Sequence, residues 1–385
     1  MNDAIVPRPK KAQESHPPRE NASSESGRAR VDREASERER EADAAHAAPT
    51  LAEIARVAGV SRMTASRAIN NRPGVSQQVR EDILRIADEM GYVINWMAQR
   101  LSSRRSGGSN GIIGVTAQLH TPFAGEVVTA IGSAVRGVGQ DLLVYSPPDS
   151  AGRPPGRVLD LLHQVADGVI AILPYQGDYL DALARARIPV VTIERRGEHD
   201  PFPWVSGDNY AGARLLMRHL MELGHRRIGF ITGDNRMESA RDRLRAYGDA
   251  LREAGMADDP RLVAEGNYLQ KGGFEGANYL LALEPRPTAI FAANDISAVG
   301  AAAAIHEAGL SVPGDISLAG FDDLPLAAQM KPGLTTVHQP LARMGRTAVK
   351  MLLERVMEPA AAPACVTVPV ELVVRGSTAA PQLVR

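Results

Sequence analysis

TLAEIARVAGVSRMTASRAIN, residues 50–70, holds two short helical patterns separated by a glycine. Leu51, Ile54, Ala55 and Ala58 recur at helical spacing and make one apolar stripe. Thr50 suits an N-cap, and Glu53 three residues on completes a capping box. Gly59 fits the position just past a helix end, where positive φ costs little without a Cβ. Val60 turns inward, and Ser61 caps a second helix whose inner face is Thr64, Ala65, Ala68 and Ile69. Alanines at that contact let the two helices cross closely. Arg62, Met63, Ser66, Arg67 and Asn70 are left outside. A tight helix pair with a polar, basic outer face is the arrangement that seats a helix in the major groove of DNA. Arginine to guanine O6 and N7 is the commonest base contact, while hydroxyls, amides and helix N-termini bind phosphate. The expected DNA contacts are therefore Thr50, Ser61, Arg62, Met63, Thr64, Ser66, Arg67 and Asn70. From these residues alone, an ordinary helical hairpin with a solvated face reads equally well.

The flanking sequence decides between the two. Val75-Ser76 starts a third helix, Gln77–Met90, with Val79, Ile83, Ile86, Ala87 and Met90 on one face and Gly91 at its end. After Tyr92-Val93-Ile94-Asn95 comes a short amphipathic stretch, residues 96–101, and then a Ser/Gly/Arg linker to Ser109. The chain as a whole carries a net charge of −1 over 385 residues, so bulk charge does not mark a polyanion binder. The basic character is local: residues 50–105 hold nine arginines against five acids. Residues 1–49 are polar, charged and nearly free of aromatics, too poor in apolar surface to fold, and are expected to be a disordered tail.

Residues 50–101 resemble the DNA-binding headpiece of the lac-repressor/purine-repressor family of bacterial transcriptional regulators. That family shows T-x-x-x-V/I-A-x-x-A-G-V-S-x-x-T-V-S-R-x-x-N, then V-S, then G-Y-x-P-N-x-x-A-x-x-L. This chain departs only at Ala65, where Val is usual, and Ile94, where Pro is usual. The resemblance extends to about Ser377. It implies a hinge helix and linker over residues 95–109, folded only on DNA. Asn95, Ala98 and Leu101 would reach the DNA there, with Leu101 wedged into a minor-groove base step.

From Gly111 on, apolar runs alternate with amphipathic helical patterns. Ile112–Thr116, Leu142–Tyr145, Gly168–Leu173, Val190–Ile193, Ile228–Thr232, Ala289–Ala292 and Ile316–Ala319 read as buried parallel strands. Helices are expected over stretches such as 180–186, 211–223, 239–254, 274–283 and 297–308. Such alternation implies βαβ units, and a run this long makes two sheets. Ligands of these folds bind beyond the carboxyl ends of strands. Those positions carry Glu194, Asp234, Asn267-Tyr268, Asn294-Asp295 and Asp322-Asp323, with Arg243 on a following helix. Carboxylates, one guanidinium, an amide and an aromatic face suit a polyhydroxylated small molecule. Asn294 also suits a helix cap, and Arg243 with Asp322 a structural ion pair.

The family patterns I-P-V-V-T-I-E, G-H-R-R-I-G-F-I-T-G, R-L-R-A-Y, A-A-N-D, G-F-D-D and L-T-T-V-H-Q-P recur between Ile188 and Pro340. The resemblance implies that Glu194, Arg243, Tyr268, Asn294 and Asp322 line an effector cleft, and Phe123 joins them. Glu194 is often Asp in the family, and Ala246 replaces a common Gly. The implied fold is a small all-α helix-turn-helix headpiece plus an α/β two-lobed, periplasmic-binding-protein-like sensor with parallel sheets. The headpiece spans residues 50–94 and the sensor residues 110–378. Lobe one takes residues 110–207 and 340–365, and lobe two 208–338 and 366–378.

The expected function is a cytoplasmic, ligand-responsive repressor of carbohydrate-metabolism genes. Its expected partners are a pseudo-palindromic double-stranded operator, a sugar-like effector and a second copy of itself. A purine or sugar-acid effector, or a solute-binding protein without transcriptional role, are the alternatives. No heptad helix follows residue 377, which favours a dimer over a tetramer. Enzyme chemistry finds no nucleophile elbow, phosphate loop or metal-spaced His/Cys cluster, so no cofactor and no metal are expected. No apolar run approaches membrane-spanning length. The single cysteine, Cys365, excludes an internal disulfide framework and reads as a buried thiol.

Overall fold

The computed structural model describes residues 49–69, 72–90, 92, 111–147, 162, 164–172, 188–195, 197, 201–359 and 364–382. Asn70, Asn95, Ala98 and Leu101 lie outside the described residues, as do the expected tail, hinge helix and 180–186 helix. The described residues fall into two compact units, divided between positions 96 and 97.

The first unit is α1 (Leu51–Val57), α2 (Arg62–Ile69) and α3 (Gln77–Glu89). Its ends are built as the sequence predicts. The Glu53 amide donates to Thr50 Oγ1 at 3.4 Å, and the Thr50 amide donates to Glu53 Oε2 at 2.6 Å. Gly59 has φ +66°. Ser61 Oγ accepts from the Thr64 amide at 3.1 Å and lies 2.8 Å from Thr64 Oγ1. Ile54, Ala68, Ile83 and Ala87 form the buried centre, with Val60, Ile69, Val79 and Met90 packed around it.

The second unit holds two parallel sheets. In lobe one a six-stranded sheet runs β11-β5-β4-β3-β1-β2. Its members are β1 (Ile112–Thr116), β2 (Asp141–Tyr145), β3 (Gly168–Ile172), β4 (Val190–Ile193), β5 (Trp204–Gly207) and β11 (Cys365–Val368). Helices α4 (Pro122–Gly137) and α10 (Leu341–Met357) cover one face, and Val127, Ile131, Val191, Met344 and Leu352 fill that layer. In lobe two a four-stranded sheet runs β7-β6-β8-β9, formed by β6 (Ile228–Ile231), β7 (Val263–Ala264), β8 (Ala289–Ala292) and β9 (Ser317–Ala319). Helices α5 (Asn209–Glu222) and α6 (Glu238–Glu253) pack on one face around Phe230, Tyr247 and Phe291. Helices α7 (Gln270–Leu281) and α8 (Asp295–Glu307) pack on the other around Leu280, Ile290 and Ala301. A short helix, α9 (Pro325–Gln329), and an antiparallel pair, β10 (Thr336–His338) with β12 (Glu371–Val373), complete this lobe.

Three readings change. Helix α7 begins at Gln270, four residues before the expected Phe274, because Gly272 and Gly273 are helical contact points and not loop residues. The whole of β11 pairs with β5 in lobe one, so the last crossing between lobes falls between Val368 and Glu371 and not at 365/366. Cys365 is exposed, not buried, because β11 is a sheet-edge strand whose first residue faces outward. The chain thus crosses between lobes at Gly207–Asn209, at His338–Leu341 and at Val368–Glu371.

Candidate functional site

In the helical unit, the fold leaves a defined outer surface. Ala65 and Ala68 are buried against neighbouring helices, while Ser61, Arg62, Met63 and Arg67 are exposed and Thr64 and Ser66 half-buried. Met63, a large apolar side chain, is 65% exposed, which no packing requirement within this unit explains. Arg80, which the sequence did not single out, fixes how this surface is presented. Its Nη1 donates to the carbonyls of Ala68 at 2.9 Å and Arg67 at 3.3 Å, and its Nη2 to that of Arg72 at 2.7 Å. One guanidinium therefore ties off the carboxyl end of α2, where helical carbonyls have no partners of their own.

In the second unit, a cleft of about 560 Å³ is lined from both lobes. Lobe one supplies His120, Thr121, Pro122, Phe123 and Glu194; lobe two supplies Ser239, Arg243, Tyr268, Leu269, Asn294, Ile296 and Asp322; Gln339 comes from a crossing. All six residues expected around an effector, Phe123, Glu194, Arg243, Tyr268, Asn294 and Asp322, thus border one space. Ser239, Gln339 and the rim residues were not foreseen.

The base is polar and buried. Arg243 Nη2 lies 3.4 Å from Asp322 Oδ1, both groups under 5% exposed. Arg243 also donates from Nε at 3.0 Å and Nη2 at 2.7 Å to Asn209 Oδ1, and from Nη1 to the Ala293 carbonyl. Its guanidinium lies 3.7 Å from the centre of the Phe321 ring. Gln339 Nε2 donates to Asp322 Oδ1 at 2.8 Å. Glu194 accepts from the Gly207 amide at 3.4 Å and Asn209 Nδ2 at 3.3 Å. Asn294 does double duty: Oδ1 caps α8 by accepting from the Ser297 amide at 2.8 Å, and Nδ2 donates to the Tyr268 carbonyl at 3.1 Å. The Tyr268 hydroxyl reaches Ser239 Oγ at 3.1 Å.

Three cleft residues, Glu194, Tyr268 and Asp322, hold positive φ at 62°, 65° and 112°. Each such non-glycine conformation costs on the order of 1–3 kcal/mol and persists only where surrounding structure enforces it, which is typical of binding sites. Burial pushes the Glu194 carboxyl up to about 7 and that of Asp322 to about 6, with Arg243 pulling both back down. Burial also lifts the Tyr268 hydroxyl to about 12 and raises Asp295, behind the cleft, well above the usual carboxylate range. Such a cluster gives a buried, charged base that hydroxyl groups can satisfy at both donor and acceptor positions. Among the described residues no group of His, Cys, Asp and Glu side chains is arranged to hold a metal ion, and no helix is long and apolar enough to cross a membrane.

The description "Bacterial regulatory proteins, lacI family" matches residues 50–95, and "Periplasmic binding protein-like domain" matches residues 217–378. The chain is 32% identical over 310 residues to the ribose operon repressor of Haemophilus influenzae, a match covering 80% of this chain and 92% of that protein. It is similar to the structure of the lac repressor dimer bound to operator and the anti-inducer ONPF. That likeness has a TM-score of 0.72 and 31% identity, covering 87% of this chain and 100% of the other. It is similar also to the complex of the transcriptional regulator CelR with cellobiose, at TM-score 0.65 and 30% identity, covering 86% and 99%. With a helix-turn-helix unit, a two-lobed parallel-sheet unit and identity sustained along a relative's length, the chain belongs to the lacI family of bacterial regulatory proteins.

Proposed function

We propose that this chain is a cytoplasmic transcriptional repressor that binds a pseudo-palindromic operator as a homodimer and is switched by an uncharged, polyhydroxylated small molecule. The single observation that carries the reading is the convergence of Glu194, Arg243, Asn294 and Asp322 at the base of one cleft. Its chemistry favours a neutral saccharide over a sugar acid or phosphate. Two carboxylates face one guanidinium, and that guanidinium already gives hydrogen bonds to Asn209, the Ala293 carbonyl and Asp322. No free fork remains to meet an incoming anion, which a bidentate arginine site would require. Tyr268 and Phe123 offer the apolar surfaces that a sugar ring face meets. On the DNA side, Arg62, Met63 and Arg67 are the expected base-reading residues, with Thr50, Ser61, Thr64 and Ser66 toward phosphate. The effector then acts through a coupling free energy between cleft and operator, which is reciprocal.

A thermal-shift panel of neutral sugars, the matching sugar acids and purines on the purified chain tests this. A ligand at 100 times its Kd adds about 2.7 kcal/mol of stability. Stabilisation by a neutral sugar, together with a change in operator affinity on adding it, is the expected result. Stabilisation confined to sugar acids or purines overturns the effector class, and a hit that leaves DNA binding unchanged overturns the switch.

A further inference from the structure

Asn209 does not line the cleft, yet every polar atom of its side chain is bonded to something that decides the cleft's state. It is the first residue of α5, placed directly after the first crossing between lobes, and is 3% exposed. Its Nδ2 donates toward Glu194 Oε2 at 3.3 Å, Ser206 Oγ at 3.1 Å and the Gly207 carbonyl at 3.0 Å. Its Oδ1 accepts both Nε and Nη2 of Arg243. Glu194 belongs to lobe one and Arg243 to lobe two, so one amide spans the charged groups of both. A primary amide suits this task. It accepts from a guanidinium on one edge and donates to a carboxylate on the other, with no charge of its own to repel either.

The second crossing repeats the device. Gln339 Nε2 donates to Asp322 Oδ1, and its backbone amide to the Asp322 carbonyl at 3.3 Å. Its buried Oε1 has no hydrogen-bond partner and lies against Gly207, where an added Cβ would stand 2.3 Å away. The Asp208 amide donates to the Val368 carbonyl at 2.9 Å, which joins the first crossing to the third. A molecule that draws Glu194, Arg243 or Asp322 toward itself therefore cannot leave Asn209 undisturbed, and Asn209 grips Ser206 and Gly207.

We propose that Asn209 is a positioning residue that transmits the state of the Arg243–Asp322 pair to the crossing at Gly207–Asp208. This deepens the reading of the cleft as an effector site and rests on it for its meaning, while its test uses no effector. Hydrogen exchange read by mass spectrometry on the full chain follows the segment containing Gly207 and Asp208 in four proteins: wild type, Asp322→Asn, Asn209→Ala and the double variant. Asp322→Asn, made in lobe two, should speed exchange at this crossing by at least about threefold in the wild-type background and add nothing once Asn209 is gone, since coupled residues are non-additive. Equal acceleration in both backgrounds, or none in the wild-type background, overturns the proposal. Where Asn209→Ala does not fold, Asn209→Asp replaces it in the same cycle. That variant keeps size and the acceptor for Arg243 but loses the donor toward Glu194, Ser206 and Gly207, and it too should abolish the effect of Asp322→Asn. A failed sugar screen with an intact cycle would leave the relay standing without its effector. An additive cycle with a successful screen would remove the relay alone.

Discussion

Asp322 and Asp323 are adjacent, stand at φ 112° and 56°, and turn their carboxylates to different tasks. Asp322 Oδ1 meets Arg243 and Gln339 at the base of the cleft. Asp323 Oδ1 accepts from Arg375 Nη2 at 2.6 Å, and its Oδ2 lies 3.0 Å from His338 Nδ1. One aspartate thus serves the cleft, and the other fastens the second crossing to Arg375, two residues past β12.

Removing each should separate these roles. Asp322→Asn keeps the shape but leaves the buried Arg243 without its counter-charge, which costs about 3–5 kcal/mol when such a pair is broken outright and less with an amide in place. The sugar-induced thermal shift should vanish while operator binding without effector persists. Asp323→Asn should cost about 1–3 kcal/mol through lost charge-assisted hydrogen bonds and leave the shift intact. Melting temperatures with and without the sugar identified by the screen check both. A normal ligand shift in Asp322→Asn would remove that residue from the site.

The raised carboxyls predict a pH signature. Glu194 goes from 4.5 to about 7 on folding and Asp322 from 3.8 to about 6. A group whose folded value is raised contributes stability that is complete below its unfolded value and is lost as pH rises through the folded one. These two therefore pull stability down between about pH 4 and pH 7, by about 3 kcal/mol for Glu194 taken alone. His225, buried between Thr288 and the Ala379 carbonyl and lowered by desolvation, acts with the opposite sign and removes stability as pH falls below its ordinary value. The clean observable is a difference: Glu194→Gln should gain on the wild type as pH is raised from 5 to 8, in denaturant titrations at each pH. A constant gap across that range would refute the raised carboxyl.

Much of this was readable in the chain. The capping box, the glycine turn and the alanine contacts of residues 50–69 follow from local rules, so α1 and α2 could be placed residue by residue. The long buried strands and the residues after them were equally plain, because strand ends in parallel sheets are where ligands meet polar side chains. What escaped the sequence depends on distant partners. Trp204–Gly207 and Cys365–Val368 are too short to show a period and become strands only by pairing with distant partners, β5 with β4 and β11, and β11 with β5. Asn209 looks like an ordinary helix start, and Gln339 an ordinary linker residue, until the fold sets them against Glu194, Arg243 and Asp322. Arg80 reads as a surface charge because the carbonyls it caps lie eight to thirteen residues away.

Arg62 and Arg80 should therefore fail differently on DNA. Arg62 is exposed on α2, so Arg62→Ala should relax base preference at one operator position at a cost of about 1–3 kcal/mol there. Arg80→Ala should weaken all sequences alike, since it loosens the end of α2 and not one base contact. Binding-site selection from a randomised pool, run on both variants, separates them; a narrowed or unchanged preference in Arg62→Ala would remove it as a base reader.

Helices α7 and α8 touch backbone to backbone, which makes their glycines irreplaceable. A Cβ at Gly273 would stand 2.0 Å from the Ser297 carbonyl oxygen, and one at Gly300 1.9 Å from that of Gln270. Neither neighbour is a side chain that can rotate away. Gly273→Ala must push α8 outward, and α8 begins at the cap made by Asn294, whose amide also holds the Tyr268 carbonyl. The substitution should cost about 1–3 kcal/mol or more and weaken ligand binding as well, although Gly273 itself does not line the cleft. Gly248 in α6 is the control: a Cβ there meets nothing within 4 Å. Gly248→Ala should raise stability by about 0.5–1 kcal/mol through helix propensity and leave binding unchanged. Urea titrations of the two variants, with ligand affinity measured alongside, decide the matter. Equal stability for both would mean that the close approach of α7 and α8 does not constrain Asn294.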